Sequence, residues 1–375
     1  MITSMKVRLE PNNKQDTKLF QSAGTARWAY NWSLSKQEEN YKNGGKFLSD
    51  RILRKELTEL KKTEELQWLN NYSNNITKQA VKDSCDAYIK FFKGLSDKPK
   101  FKSRKKSKPS FYQDTYKIKF TDTHVRLEKI GWLKLSEYNR IPTNVKYSNP
   151  RVSFDGVHWF ISVGIELEQE AMELTNESIG IDVGIKNLAI CSNKEEPYEN
   201  INKTKKVKKL EKKLRRSQRK VSRKYEKNKE GRSYVKTENI IELEKDIKKL
   251  HKKLDNIRTD YRHKVTTEIV KTKPSRIVME NLNISGMLKN KHLSASVAKQ
   301  GFYEFKTMLK YKAEKYGIEF IEADKWYPSS KTCSECGYIK PKLSLSERTF
   351  VCECCGAVID RDKNASINLS RYKVS

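Results

Sequence analysis

The sequence predicts a multi-domain α+β protein, and three observations carry that expectation. Alternating apolar residues mark strands at 5–10 and again across 116–167, with a block of helical periodicity, 13–95, between them. Apolar, β-branched strands return after residue 173, separated by a long heptad-patterned stretch. Near the C-terminus two C-x-x-C pairs stand 15 residues apart. The first observation gives a β-barrel-like domain, 1–12 and 96–172, holding a helical insertion, 13–95. The second gives a further domain that begins near residue 173. The third gives a metal-binding module directly in front of a carboxylate-bearing turn.

The charge balance says what this architecture meets. Across 375 residues, 78 Lys+Arg against 47 Asp+Glu leave a formal net charge of +31. A surplus this large points to a polyanionic partner, nucleic acid first and an anionic membrane surface second. No apolar run approaches the ~20 residues that span a bilayer. The opening M-I-T-S-M-K-V-R-L-E-P lacks a signal peptide's apolar core, so a cytoplasmic protein is expected. Seven cysteines in a reducing compartment suggest metal ligation before disulfides.

Met5, Val7 and Leu9 alternate with charged residues, and Pro11 ends that strand. In the insertion, Ser49 followed by Ile52, Leu57 and Leu60 reads as a capped helix, and Val81, Cys85, Tyr88 and Phe92 as an apolar face. Arg27, Trp28, Tyr30, Asn31 and Trp32 suit helix packing or, alternatively, base stacking and reading. Residues 93–112 form a basic connector with interleaved aromatics. Alternation returns at Tyr116, Ile118 and Phe120, at Val125 and Leu127, and from Trp159 to Leu167, with Asp155-Gly156 as a hairpin turn. An acidic run, 166–174, reads as a linker.

The stretch S-I-G-I-D-V-G-I-K-N-L-A-I-C-S, 178–192, reads as one apolar strand with Asp182 inside it. A carboxylate there is costly unless it binds something or is satisfied in the core. Gly180 and Gly184 leave room for a close approach. Residues 203–230 carry 15 Lys/Arg against three Glu. Val207, Leu210, Leu214, Val221 and Tyr225 form a stripe, and after Gly231 a heptad pattern runs from Ile240 to Tyr261. The two arms predict an antiparallel helical hairpin, 203–265, with Lys212, Arg215, Arg216, Arg219 and Arg223 as phosphate contacts. A short strand, 274–280, ends at Glu280. A helix follows with Phe302, Phe305, Leu309 and Tyr316 on one side, then a strand at 318–321.

Cys333, Cys336, Cys352 and Cys355 have the spacing of a four-thiolate zinc site. Gly337 and Gly356 follow the two pairs, where the backbone wraps a metal. Cys354 is a substitute ligand, while Cys85 and Cys191 sit in apolar surroundings. Three acids remain: Asp182, Glu280 and Asp362, the last opening a helix that Asp360 can cap. Carboxylates from three separate elements are what a two-magnesium phosphodiester-hydrolysing centre on an RNase H-like sheet needs.

G-I-D-V-G-I-K-N-L-A at 180–189, V-M-E-N-L at 278–282, P-S-S-K-T-C-S-E-C-G at 328–337 and D-R-D-K-N-A-S-I-N-L at 360–369 resemble the TnpB family of transposon-encoded RNA-guided nucleases, relatives of type V CRISPR effectors. The resemblance runs over nearly the whole chain. One departure is Ser366, where the family often has Ala. It implies a RuvC nuclease domain with Asp182, Glu280 and Asp362 as its acids and a β-barrel-like wedge domain carrying the helical recognition insertion. It also implies a zinc-bearing target-nucleic-acid-binding module, 331–357, inserted in RuvC, which is then built from 173–330 and 358–375. The implied partners are a guide RNA from the transposon end and double-stranded target DNA beside a short motif. The particle would hold one protein copy, associated with a prokaryotic nucleoid. Two other functions fit the same residues: a nuclease-inactive RNA-guided DNA-binding regulator, and an unguided RNase H-like transposase. RNA of defined sequence bound to the protein argues against the transposase, and loss of cutting on removing an acid argues against the regulator.

Overall fold

Strand and helix periods alternate along the chain as the residues require. The computed structural model describes residues 2–166, 173–344 and 346–373. The chain divides between residues 168 and 169 into two compact units. Leu167 and most of the acidic run fall outside the described residues.

The first unit opens with β1 (Ile2–Glu10), α1 (Asn13–Lys42), α2 (Asp50–Leu60) and α3 (Asn74–Phe92). It continues with β2 (Ser110–Tyr112), β3 (Lys119–Phe120), β4 (His124–Leu127), β5 (Gly131–Leu135), β6 (Tyr147–Phe154) and β7 (Trp159–Glu166). These strands form one antiparallel sheet in the order β2-β6-β7-β1-β5-β4-β3. β1 pairs with β7 from Ile2 to Leu9 and reaches β5 at its end, so the chain's first strand lies central in the sheet. Sheet and helices share a core: Val7, Trp159 and Ile161 pack with Leu19, Ala23 and Tyr30 of α1 and Ile76 and Ala80 of α3. Polar anchors fix them further. Trp159 Nε1 donates to Asp16 at 2.8 Å, and Arg151 makes two 2.8 Å bonds to Asp83.

Two local expectations change in this unit, and one left open is decided. Ser49 caps α2, accepting from the Ile52 N–H, but Ile52 is exposed and Leu53 takes the buried position. Tyr116 is exposed rather than in a strand, because Asp114 closes a turn, its carbonyl taking the Ile118 N–H and its carboxylate the Tyr116 N–H. The aromatic cluster packs within the unit: Trp28 stacks on Trp32 and meets Trp68 edge-on. Asn31 uses both ends of its amide on the Lys102 backbone, 2.9 and 2.8 Å, and Lys102 lies over the Tyr30 ring at 3.5 Å. These contacts tie the basic connector to α1.

The second unit contains β8 (Ser178–Val183), β9 (Asn187–Cys191), β10 (Tyr198–Glu199), α4 (Lys205–Lys227), β11 (Lys229–Glu230), β12 (Ser233–Tyr234), α5 (Glu238–Lys271) and β13 (Arg276–Met279). Then come α6 (Ile284–Lys289), α7 (Ser294–Gln300), α8 (Phe302–Lys315), β14 (Glu319–Glu322), β15 (Thr349–Val351), β16 (Val358–Asp360) and α9 (Arg361–Ser370). Residues 178–192 are two antiparallel strands rather than one, turning at 184–186. Continuous apolar character cannot show where a buried strand reverses. Gln300, 2% exposed, donates to the Gly184 carbonyl at 2.9 Å, and Asn200 to that of Ile185 at 2.8 Å; both hold the turn.

The main sheet runs β10-β9-β8-β13-β14, with β8, β13 and β14 parallel. One face presents Ile179, Ile181, Ile277 and Met279 to Val265 and Ile269 of α5 and to Phe302, Phe305 and Leu309 of α8. The other face receives α9, whose Leu369 packs with Val278 and Ala323. A Cβ on Gly180 would stand 1.9 Å from the Ser366 carbonyl oxygen and 2.3 Å from the Ser370 nitrogen. Only glycine lets α9 lie this close to β8. The predicted basic hairpin is α4 folded back on α5, sealed by Val207, Leu214, Leu250 and Leu254.

Candidate active site

Sheet register brings two of the three acids together. Val278 pairs with Gly180 and Met279 with Ile181, so the next rung sets Glu280 beside Asp182. Side chains alternate along a strand, so Asp182 shares its face with Gly180, the face that α9 covers. α9 starts at Arg361 and carries Asp362 at its second position. Asp360 caps it, its carboxylate accepting from the Asp362 and Lys363 N–H groups at 3.0 Å each. That leaves Asp362 as the acid presented by this helix end.

The electrostatics agree with this convergence. Burial, reinforced by Glu280 and Asp362, pushes the Asp182 carboxyl well above the usual carboxylate range. Burial and then Asp362 push Glu280 up as well. Arg361 opposes this in part, donating to Asp362 Oδ1 from Nε at 3.0 Å and Nη2 at 2.8 Å; Arg348 approaches the other oxygen at 3.8 Å. A site with mutually repelling, desolvated carboxyls is short of positive charge. Its hard oxygen donors fit a divalent cation such as magnesium. The three carboxylates are spread more widely than the cysteines: among the described residues, only the four cysteines bring three or more ligand atoms within 4.8 Å of one another.

Those four are Cys333, Cys336, Cys352 and Cys355. Cys333 and Cys355 sulfurs are 3.7 Å apart and Cys336 and Cys352 sulfurs 3.5 Å. Tetrahedral zinc with bonds near 2.3 Å sets sulfurs about 3.8 Å apart, so the donor set fits zinc. The two halves repeat one turn. Gly337 N–H bonds to the Cys333 carbonyl and Gly356 N–H to that of Cys352, with φ of 79° and 72°. The Cys355 and Cys354 N–H groups lower the Cys352 thiol, while the surrounding thiols outweigh the Ala357 backbone contact and raise that of Cys355, so the crowded cluster shares its charge unevenly. Cys354 is exposed and stays outside the cluster, while Cys85 and Cys191 are buried, as expected of core residues.

On α4, Lys212, Arg215, Arg216, Arg219 and Arg223 are all exposed. Their spacing of i, i+3, i+4, i+7 and i+11 keeps them on one face, away from the buried Val207 and Leu214. Sequence reasoning did not single out Arg361, which bonds to Asp362, Gln300 and Asn200, which hold the turn after β8, or the roles of Asn364 and Asn368, which bond the backbone at 329–334. The asparagines carried a signal, because they are four apart and share a helix face.

Comparison with known proteins decides the family. A "Putative RNA-guided DNA endonuclease" of Streptomyces pristinaespiralis is 31% identical over 372 residues, 98% of this chain and 88% of that protein. The chain belongs to the TnpB family. The "Putative RNA-guided DNA endonuclease InsQ" of Escherichia coli (strain K12) is 30% identical over 98% of this chain and 91% of that protein. Three family descriptions match along this TnpB chain: "Helix-turn-helix domain" at 1–46, "Probable transposase" at 160–291 and "Cas12f1-like, TNB domain" at 302–369. A solved structure, "Cryo-EM structure of the Cas12f1-sgRNA-target DNA complex", has the same fold: TM-score 0.63 at 14% identity, over 99% of this chain and 98% of that one. No described helix of this TnpB protein is long and apolar enough to cross a membrane.

Proposed function

We propose that this protein is a transposon-encoded, RNA-guided endonuclease that cuts double-stranded DNA next to a short DNA motif. The observation that carries the reading is the register putting Asp182 and Glu280 on neighbouring strands, on the face over which α9 brings Asp362. Family membership and the relatives named as RNA-guided DNA endonucleases support it. Asp182, Glu280 and Asp362 hold two magnesium ions. When bound, the pair supplies an activated water and stabilises the leaving oxygen. Arg361 keeps Asp362 in one orientation, and the turn held by Gln300 and Asn200 keeps β8 in place beneath it.

Sequence specificity comes from a transposon-derived guide RNA pairing with the target, while the protein grips the heteroduplex by backbone and charge. The exposed basic face of α4 is the phosphate contact. One structural zinc sits on the four cysteines. A single carboxylate set among the described residues means that both strands reach it in turn, within a particle holding one protein copy in the cytoplasm. Purified protein with its co-purified RNA, magnesium and a matching plasmid should linearise the plasmid. Equal cutting by an Asp182→Asn protein would defeat the assignment. Target binding without any cutting would leave the regulator reading standing instead.

A further inference from the structure

Arg361 apart, the zinc module and the nuclease helix are joined by side chains that neither the proposed catalysis nor zinc ligation uses. Asn364 is fully buried. Its Oδ1 accepts from the Ser334 N–H at 2.8 Å and its Nδ2 donates to the Thr332 carbonyl at 2.7 Å. One amide therefore grips the chain on both sides of Cys333. Asn368, one turn on and 4% exposed, donates to the Ser329 and Thr332 carbonyls at 2.8 and 2.6 Å. Arg371, a further turn on, donates to the Ser334 carbonyl. The second cysteine pair is tied to the same helix differently. β15 and β16 flank it, and β16 ends at Asp360, the cap of α9. Arg361 donates its backbone N–H to the Arg348 carbonyl at 2.8 Å and its Nη1 to that of Glu347 at 3.1 Å.

We infer that Asn364 and Asn368 are positioning residues that set the third carboxylate from the zinc knuckle, so that zinc occupancy and divalent-cation affinity at Asp182, Glu280 and Asp362 are linked. Asp362 lies two residues before Asn364 on a rigid helix. The Cys333 turn that Asn364 grips belongs to a cluster of four cysteine sulfurs, all within 4.8 Å of one another, which a zinc ion would hold together. Opening that turn removes partners from two buried amides, and the helix end must move to satisfy them. Linkage is reciprocal, so cation binding at the acids also tightens the zinc module.

The inference rests on the reading of the three acids as a divalent-cation site, and the test separates the two. The probe is Mn2+, titrated into the full-length protein–RNA complex while free Mn2+ is followed by electron paramagnetic resonance. Wild type should bind, and Asp182→Asn should lose that binding; if it does not, the underlying reading fails. Asn364→Ala, and wild type stripped of zinc by a thiol-reactive reagent and chelator, should each weaken Mn2+ binding at least tenfold, with RNA affinity and far-UV circular dichroism retained. Glu335→Gln, an exposed position in the same knuckle outside the clasp, should bind Mn2+ as wild type does. The milder Asn368→Ser guards against misfolding of Asn364→Ala, and should show the same direction and restore binding on added zinc. Unchanged Mn2+ affinity in the folded zinc-free protein overturns the linkage, whatever the variants do.

Discussion

At the residue scale, Asp182 is kept where an isolated carboxylate would not choose to be. A carboxyl whose folded pKa lies above its unfolded one binds more protons when folded in the window between the two. The metal-free fold then loses stability as pH rises through that window and regains it as pH falls back. Asp182 and Glu280 are both raised, so both act in this direction. Asp182→Asn should therefore abolish cutting, by a factor of about 10³ or more, yet raise the melting temperature of the metal-free protein at neutral pH. A differential scan with and without magnesium checks it: magnesium should stabilise wild type and leave the variant unmoved. Gly180→Ala is the opposite case. Its methyl would strike backbone atoms of α9, and a loss of about 3 kcal/mol is expected from the denaturation midpoint.

At the element scale, α4 and the cysteine module are separable devices. The basic residues of α4 lie opposite its buried stripe, so Lys212, Arg215, Arg216, Arg219 and Arg223 can be replaced by Gln with the hairpin intact. RNA affinity should fall, and the slope of log affinity against log salt should shrink by about 4, at roughly 0.7–0.9 per lost phosphate contact. An unchanged slope would move the RNA path elsewhere. The four cysteines should bind about one zinc per chain, and Cys336→Ser should lower that stoichiometry while leaving α4-dependent RNA binding in place. Both elements were legible beforehand because their signals are local. A charge-dense helix with a 3.6-residue stripe and two C-x-x-C-G turns need no distant partner to be recognised.

At the scale of the whole molecule, two units each carry their own core: one centred on Trp159, Leu19 and Tyr30, the other on Ile181, Phe305 and Ile269. Residues 1–166 expressed alone should thus melt cooperatively, and a featureless melt would show that this core needs the second unit. The net charge of +31 is the other molecular property, and it makes binding to any nucleic acid strongly salt-dependent. By itself the sequence determined the family, four thiols at zinc spacing and a basic helix arm, and it put forward three acids in three elements as the proposed site. Composition and short spacings are written in the chain and survive any folding detail. Only the tertiary structure decided that 178–192 is a hairpin, that Glu280 stands beside Asp182, that Gly180 admits α9, and that Asn364 grips both sides of Cys333. Those facts depend on register between strands and on hydrogen bonds between residues tens of positions apart. Such contacts are set when buried faces pack, and no local pattern encodes them.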